Sequence, residues 1–152
     1  MNEYILELGK KAKEASKKLA IIDTNTKNAV LTAVAKALIE KRELIKAENK
    51  KDLEYGKEKG ISSALLDRLE LTDSRIDGMA KSLIEIANFK DPVGEILEGW
   101  KHPDGMQILK QRVPLGVIGM IFESRPNVTI DSAGLALKSS NAIILRGGSD
   151  AI

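Results

Sequence analysis

The sequence predicts an α/β protein in which a helical stretch precedes a strand-bearing one. Three observations predict it. All four prolines (Pro92, Pro103, Pro114 and Pro126) and eight of the twelve glycines follow residue 91, so helix breakers are nearly absent before that point and frequent after it. Apolar residues recur every three or four positions in the first stretch, and fall in short alternating or continuous runs in the second. Near the end, strand, helix and strand follow one another within about thirty residues, the length of a βαβ unit.

Taken in order, Ile5, Leu8, Ala12, Ala15 and Leu19 form one helical stripe, with Lys10, Lys11, Lys13, Lys17 and Lys18 mostly outside it as a solvated face. Asp23 to Thr26 offers N-caps for a second helix, whose stripe of Val30, Leu31, Val34, Leu38 and Ile45 carries it to about Asn49. A lysine-rich piece, Lys50 to Lys59, comes next. Ser62 or Ser63 caps a short helix through Leu69, and Thr72 another with Ile76, Met79, Ala80, Leu83 and Ile86 on one face. Glu95 to Lys101 and Met106 to Val113 read as strands around His102-Pro103-Asp104-Gly105, a sequence with strong turn chemistry, so a β-hairpin is expected. His102 reads as a turn residue, and Trp100 as a packed one. Val117 to Phe122 is a continuous apolar run, as in a strand covered on both faces. A helix over Val128 to Lys138 and a second buried strand, Ala142 to Leu145, complete the βαβ unit.

Composition excludes several classes of function. The chain has 152 residues, of which 43% are apolar, and no cysteine. It therefore holds no disulfide, no thiolate metal site and no cysteine nucleophile. A single histidine, His102, excludes a multi-histidine metal site. No apolar run approaches the roughly 18 residues of a membrane span. The first residues lack the apolar core of a secretory signal, so a soluble, cytoplasmic protein is expected. Residues 1–60 carry 14 lysines and arginines against 10 acids, and residues 61–152 carry 10 against 12. Of the 14, only Arg42 is arginine, and acids are interspersed. That composition describes a solvated helical surface and no nucleic-acid partner.

Ligands of open α/β sheets bind beyond the carboxyl ends of the strands. Two segments occupy that place. After the first strand comes Glu123-Ser124-Arg125-Pro126-Asn127, where Arg125 suits a carboxylate or phosphate and Asn127 suits an oxyanion. The same residues also suit a helix start, with Pro126 in the first turn and Asn127 or Ser124 as a cap. After the second strand comes Arg146-Gly147-Gly148-Ser149-Asp150. Here two glycines let a ligand approach the backbone, Arg146 offers a planar charged fork, and Ser149 adds a hydroxyl. An ordinary β-to-α turn would use glycines in the same way. Neither GxGxxG nor a Walker A sequence is present.

Arg112-Val113-Pro114-Leu115-Gly116-Val117-Ile118-Gly119-Met120-Ile121-Phe122-Glu123-Ser124-Arg125-Pro126-Asn127-Val128-Thr129 resembles the signature of the gamma-glutamyl phosphate reductases, or glutamate-5-semialdehyde dehydrogenases, of the aldehyde dehydrogenase superfamily. So does the run from Leu135 to Ala151. Asp67-Arg68-Leu69 and Lys90-Asp91-Pro92-Val93-Gly94 are similar as well, and the resemblance covers essentially the whole chain. It implies the first part of a Rossmann-like NADP-binding domain, as an incomplete fragment of a larger protein. Within 1–152, residues 1–91 are the helical segment, 95–113 the hairpin of the oligomerisation strands, and 114–152 the start of the parallel sheet. The catalytic domain is absent.

The activity so implied is NADPH-dependent reduction of L-glutamyl 5-phosphate to L-glutamate 5-semialdehyde with release of phosphate, a step of proline biosynthesis. In the family a cysteine thiolate attacks the acyl phosphate and hydride resolves the thioester. That cysteine is not in this chain, so the fragment is expected to be inactive alone. The implied partners are the small-molecule substrate, further copies in a homo-oligomer, and glutamate 5-kinase. Arg146 matches the position, usually lysine, that contacts the adenosine ribose or its phosphate, and Gly147, Gly148 and Ser149 match the surrounding loop. An arginine there fits a 2′-phosphate, hence NADP. An ungapped register counted back from Asn141 places Glu123 at the superfamily's oxyanion position, and Asn127 takes that role only with a shifted loop. Arg125 is then a candidate for binding the substrate's phosphate or carboxylate. The competing readings are another acylating aldehyde dehydrogenase, against which the ESRPN segment argues, and a non-catalytic helical interaction module.

Overall fold

The structure, a computed structural model, describes residues 3–123 and 125–148. Five helices come first: α1 (Glu3–Leu19), α2 (Thr24–Glu40), α3 (Arg42–Glu58), α4 (Ser63–Leu69) and α5 (Asp73–Asn88). A hairpin of β1 (Ile96–Lys101) and β2 (Gln107–Gln111) follows, then β3 (Val117–Ile121), α6 (Pro126–Lys138) and β4 (Ala142–Arg146). The α/β order expected from the sequence is the order observed.

Two of the expected caps hold their helices by side-chain bonds. The Asp23 carboxylate accepts the Thr26 N–H at 3.0 Å, and the Thr72 hydroxyl accepts the Arg75 N–H at 3.2 Å. Each satisfies one of the donors that a helix start leaves open. The second helix differs from expectation. It stops at Glu40, and α3 begins at Arg42 without proline or glycine at the break. Contacts distant in sequence set the new direction. Arg42 pairs with Asp77, Lys46 Nζ lies 2.9 Å from Asp73, and the buried Asn49 amide bridges the Leu69 carbonyl (2.9 Å) and the Leu71 N–H (2.7 Å). The lysine-rich piece from Lys50 onward is the continuation of α3.

The core lies where α2, α5 and α6 meet. Leu31, Ala35 and Leu38 face Ile76, Met79, Ala80, Leu83, Ile86 and Ala87, with Ile130 and Leu137 of α6 packed against them. Gly134 lets α6 close on this core. A Cβ there would stand 2.8 Å from Leu83 Cδ2 and 3.2 Å from Ile86 Cδ1. Two lysines, Lys27 and Lys138, are buried beside the core, with the half-buried Asp91 next to them. Lys27 Nζ, 2% exposed, lies 2.7 Å from Asp91 Oδ2, and Lys138 Nζ donates to Asn28 Oδ1 (2.6 Å) and the Ala87 carbonyl (2.8 Å). Burial pushes the Asp91 carboxyl up, but hydrogen bonds from Lys27, Thr24 and the Val93 N–H outweigh it and hold the group below the usual carboxylate range. Burial depresses Lys138, whose direct partners are neutral.

The parallel pair is β3–β4, in register from Val117 opposite Ala142 to Ile121 opposite Arg146. The chain pins this register at one end. The buried Asn141 accepts the Gly116 N–H at 2.8 Å and donates to the Ser139 carbonyl at 3.0 Å, while Ala142 N–H reaches the Gly116 carbonyl at 2.9 Å. Ser140 ends α6 in the left-handed conformation, φ 57°, with the Asn141 N–H on the Ala136 carbonyl and its own N–H on that of Leu137. This is a Schellman stop with serine where glycine is usual.

Two burial expectations are corrected. Along β3, Ile118 and Met120 are half-buried but Gly119 and Ile121 are exposed, Ile121 by 85%; the strand is not covered on both faces within the described residues. Trp100 is 49% exposed. The β1–β2 ribbon pairs with no other strand among the described residues, and almost every side chain along it is exposed. The hairpin turn itself is as expected. Gly105 takes φ 91°, and His102 Nδ1 lies 3.0 Å from the Asp104 carboxylate.

Candidate functional site

Two clefts open at the end of the molecule where β3 and β4 finish. The first is polar, of ≈ 470 Å³, and lies between the α4–α5 turn and the start of α6. The second is mostly apolar, of ≈ 610 Å³. Phe122 and Leu145 line it from the strand ends, Gly147 and Gly148 from the loop after β4, and Leu38, Ile45 and Ile130 from the helices. Leu71, Met79, Arg125 and Pro126 line both.

Arg125 stands at the junction. It precedes Pro126, which opens α6 at a position where its missing N–H costs nothing. The Arg125 side chain is exposed and makes no hydrogen bond or ion pair among the described residues. Asn127 opens toward the polar cleft and donates one amide hydrogen to Asp131 Oδ2 at 3.2 Å, leaving the second for another acceptor. Asp131 Oδ1 accepts the Ser82 hydroxyl at 2.8 Å. The carboxylate is thereby fixed between α5 and α6, with one lone pair of each oxygen still open.

The α4–α5 turn contributes the opposite wall. Arg75 is consumed in building that wall, donating to the carbonyls of Asp67 and Glu70 and to the Asp67 carboxylate. Arg68 points into the same cleft and has no partner among the described residues. The polar cleft thus presents two uncommitted guanidinium groups and one braced carboxylate.

The sequence-level candidates divide between the clefts. Arg125 belongs to both, Asn127 to the polar one, and Gly147 and Gly148 to the apolar one. Arg146 ends β4 with its side chain exposed and does not line either cleft. Ser149 lies outside the described residues. Arg68, Ser82 and Asp131 were not among the candidates. The Asn127–Asp131 spacing of four on one helix face was legible, but their meeting with Arg68 depends on α4 and α5 packing beside α6.

Over all 152 residues the chain is 54% identical to a gamma-glutamyl phosphate reductase of Halothermothrix orenii, and spans 36% of that protein's length. The chain resembles the gamma-glutamyl phosphate reductases from end to end. The crystal structure of the gamma-glutamyl phosphate reductase of Thermotoga maritima superposes with a TM-score of 0.93 at 47% identity, over 96% of this chain and 35% of that one. A probable aldehyde dehydrogenase of Listeria monocytogenes EGD-e shares the fold, with a TM-score of 0.68 at 19% identity over 98% of this chain and 30% of its own. No protein-family model matches the chain. The α/β arrangement described above is therefore that of about one third of a gamma-glutamyl phosphate reductase. No helix among the described residues is long and apolar enough to cross a membrane.

Proposed function

We propose that this chain is the cofactor-side part of a cytoplasmic NADPH-dependent reductase that converts L-glutamyl 5-phosphate to L-glutamate 5-semialdehyde and phosphate, in the synthesis of proline. The observation that carries this reading is Arg125, a guanidinium without a partner among the described residues where two clefts meet at the carboxyl end of a parallel strand pair. Dinucleotides bind at such strand ends in open α/β sheets, and the apolar cleft fits one. Gly147 and Gly148 on its wall carry no side chain to hold a ligand off, and Phe122 and Leu145 supply apolar surface. Arg146 and Ser149, flanking those glycines, are assigned to the ribose phosphate. When bound, NADPH supplies the hydride.

The chain's own residues bind and orient. Arg125 draws the acyl phosphate to the junction and offsets its negative charge, and the second Asn127 N–H is available to donate to the acyl oxygen as charge grows there. The nucleophile is not supplied here, because the chain has no cysteine. A full-length protein containing these residues should catalyse phosphate-dependent oxidation of glutamate 5-semialdehyde with NADP, read as absorbance of the reduced cofactor, and the 152-residue protein should not. Arg125→Ala in the full-length protein should raise KM for the semialdehyde or phosphate, or lower kcat, at least tenfold. Unchanged constants would remove Arg125 from the site, and turnover by the 152-residue protein would overturn the division of labour.

A further inference from the structure

We infer that the polar cleft reads the α-amino-acid end of the substrate, with Arg68 taking the α-carboxylate and Asp131 the α-ammonium. This rests on the reading above, which brings an amino-acid acyl phosphate to Arg125. It adds the two residues that distinguish such a substrate from a plain acyl phosphate.

The assignment follows from which charges are already spent. A zwitterionic head needs one fixed cation and one fixed anion on a single wall system. Among the cations of the cleft, Arg75 has its charge paired with the Asp67 carboxylate and gives two further N–H groups to the carbonyls of Asp67 and Glu70. Arg125 sits at the junction with the apolar cleft and belongs with the reacting end. Arg68 is left, unpartnered among the described residues and with a planar fork suited to a carboxylate. Among the anions, Asp67 is paired with Arg75 at 3.0 Å. Glu70 lies just past the last residue of α4 and is exposed, with no side chain among the described residues to brace it. Asp131 is half-buried, and its oxygens are held separately by Ser82 at 2.8 Å and Asn127 at 3.2 Å. Those two bonds orient the carboxylate before anything binds and leave acceptor sites for an ammonium.

The two roles are also ordered along the substrate. The cleft runs from Arg125, shared with the cofactor side, to Arg68 and Asp131, which line the polar cleft alone. A substrate with its phosphate at Arg125 therefore directs its opposite end, the one bearing the ammonium and carboxylate, toward Arg68 and Asp131. A docked chain lacking the ammonium would cover the half-buried Asp131 without pairing it, and one lacking the carboxylate would leave Arg68 without its counter-charge, so each should be used less well.

The test uses a full-length protein containing these residues, assayed in the oxidative direction with phosphate and NADP. Wild type should prefer glutamate 5-semialdehyde over 5-oxopentanoate, which lacks the amino group, by at least a hundredfold in kcat/KM. Asp131→Asn should cut that preference at least tenfold. Arg68→Ala should raise KM for the semialdehyde at least tenfold while leaving KM for NADP unchanged, and Arg68→Lys should recover part of the loss. Equal use of the two aldehydes by wild type, or a preference untouched by Asp131→Asn, overturns the assignment of Asp131 without disturbing the reductase reading. An unchanged KM in Arg68→Ala does the same for Arg68. Absence of any turnover by wild type overturns the reductase reading, and this assignment with it.

Discussion

The two ends of α6 treat charge in opposite ways. At its carboxyl end Lys138 is buried, and beside it Lys27 and Asp91 are closed into a pair at 2.7 Å; every polar atom of the three faces a protein partner. At its amino end Arg125 is exposed, Arg68 opposite has no partner among the described residues, and Asp131 keeps open lone pairs. Charges of the first kind are spent on joining α2, the α5–β1 connection and α6. Charges of the second kind, gathered in a concave place, are free to meet something that is not protein. The contrast separates a structural polar cluster from a binding one by how completely its groups are satisfied.

The largest expected effect tests the closed end. Asp91→Ala leaves the Lys27 ammonium buried without its counter-ion and should destabilise the protein by about 3–5 kcal/mol, read by urea unfolding at neutral pH. The pH dependence has a definite sign. The Asp91 carboxyl is held below its ordinary range in the folded protein, so its contribution is present above the unfolded value near pH ~4 and is lost as pH falls through the folded one. The gap between wild type and variant should close on acidification. A gap independent of pH would show that the lost contact is steric. Lys138 is also depressed, but for it the ammonium is the disfavoured form. Its burial costs stability at neutral pH, and that cost is relieved as pH rises through the lowered value.

An intermediate effect is expected between the two ends. Gly134→Ala drives a methyl to within 2.8 Å of Leu83, which is 2% exposed and has little room to move. A loss of roughly 1–3 kcal/mol follows from such overpacking, measurable as a lowered Tm. The smallest effect belongs to the open end. Arg68→Ala and Arg125→Ala should each change stability by no more than about 0.5 kcal/mol, since neither side chain holds a partner among the described residues. A loss comparable to that of Asp91→Ala would erase the distinction between the two ends.

What was legible in the sequence was mostly local. The α5 stripe, the Asp23 and Thr72 caps, the Pro103-Asp104-Gly105 turn and the strand–helix–strand run depend on neighbours within a few residues, and each is found where the pattern placed it; of the two earlier stripes, Ile5, Ala15, Val30 and Val34 are exposed. The break at Lys41 was not legible, because nothing at Lys41 causes it; Asp73, Asp77 and the Leu69–Leu71 backbone, some thirty residues on, redirect α3. The exposure of Trp100 was missed for a related reason. Alternation marks a residue as fit for packing but does not say whether this chain provides the surface. The site divides in the same way. Arg125, Asn127, Gly147 and Gly148 follow strands and were visible from position alone. Arg68 and Asp131 are 63 residues apart in sequence, and only the packing of α4 and α5 beside α6 puts them on one cleft.

The position of Arg125 on the shared wall of both clefts has a thermodynamic consequence. An anion that engages its guanidinium from one side changes the field felt on the other, so the occupants of the two clefts cannot bind independently. Linkage makes the effect reciprocal: whatever factor one ligand imposes on the affinity of the second, the second imposes on the first. In this molecule that coupling would pass through a single side chain, and it should disappear when that side chain is shortened.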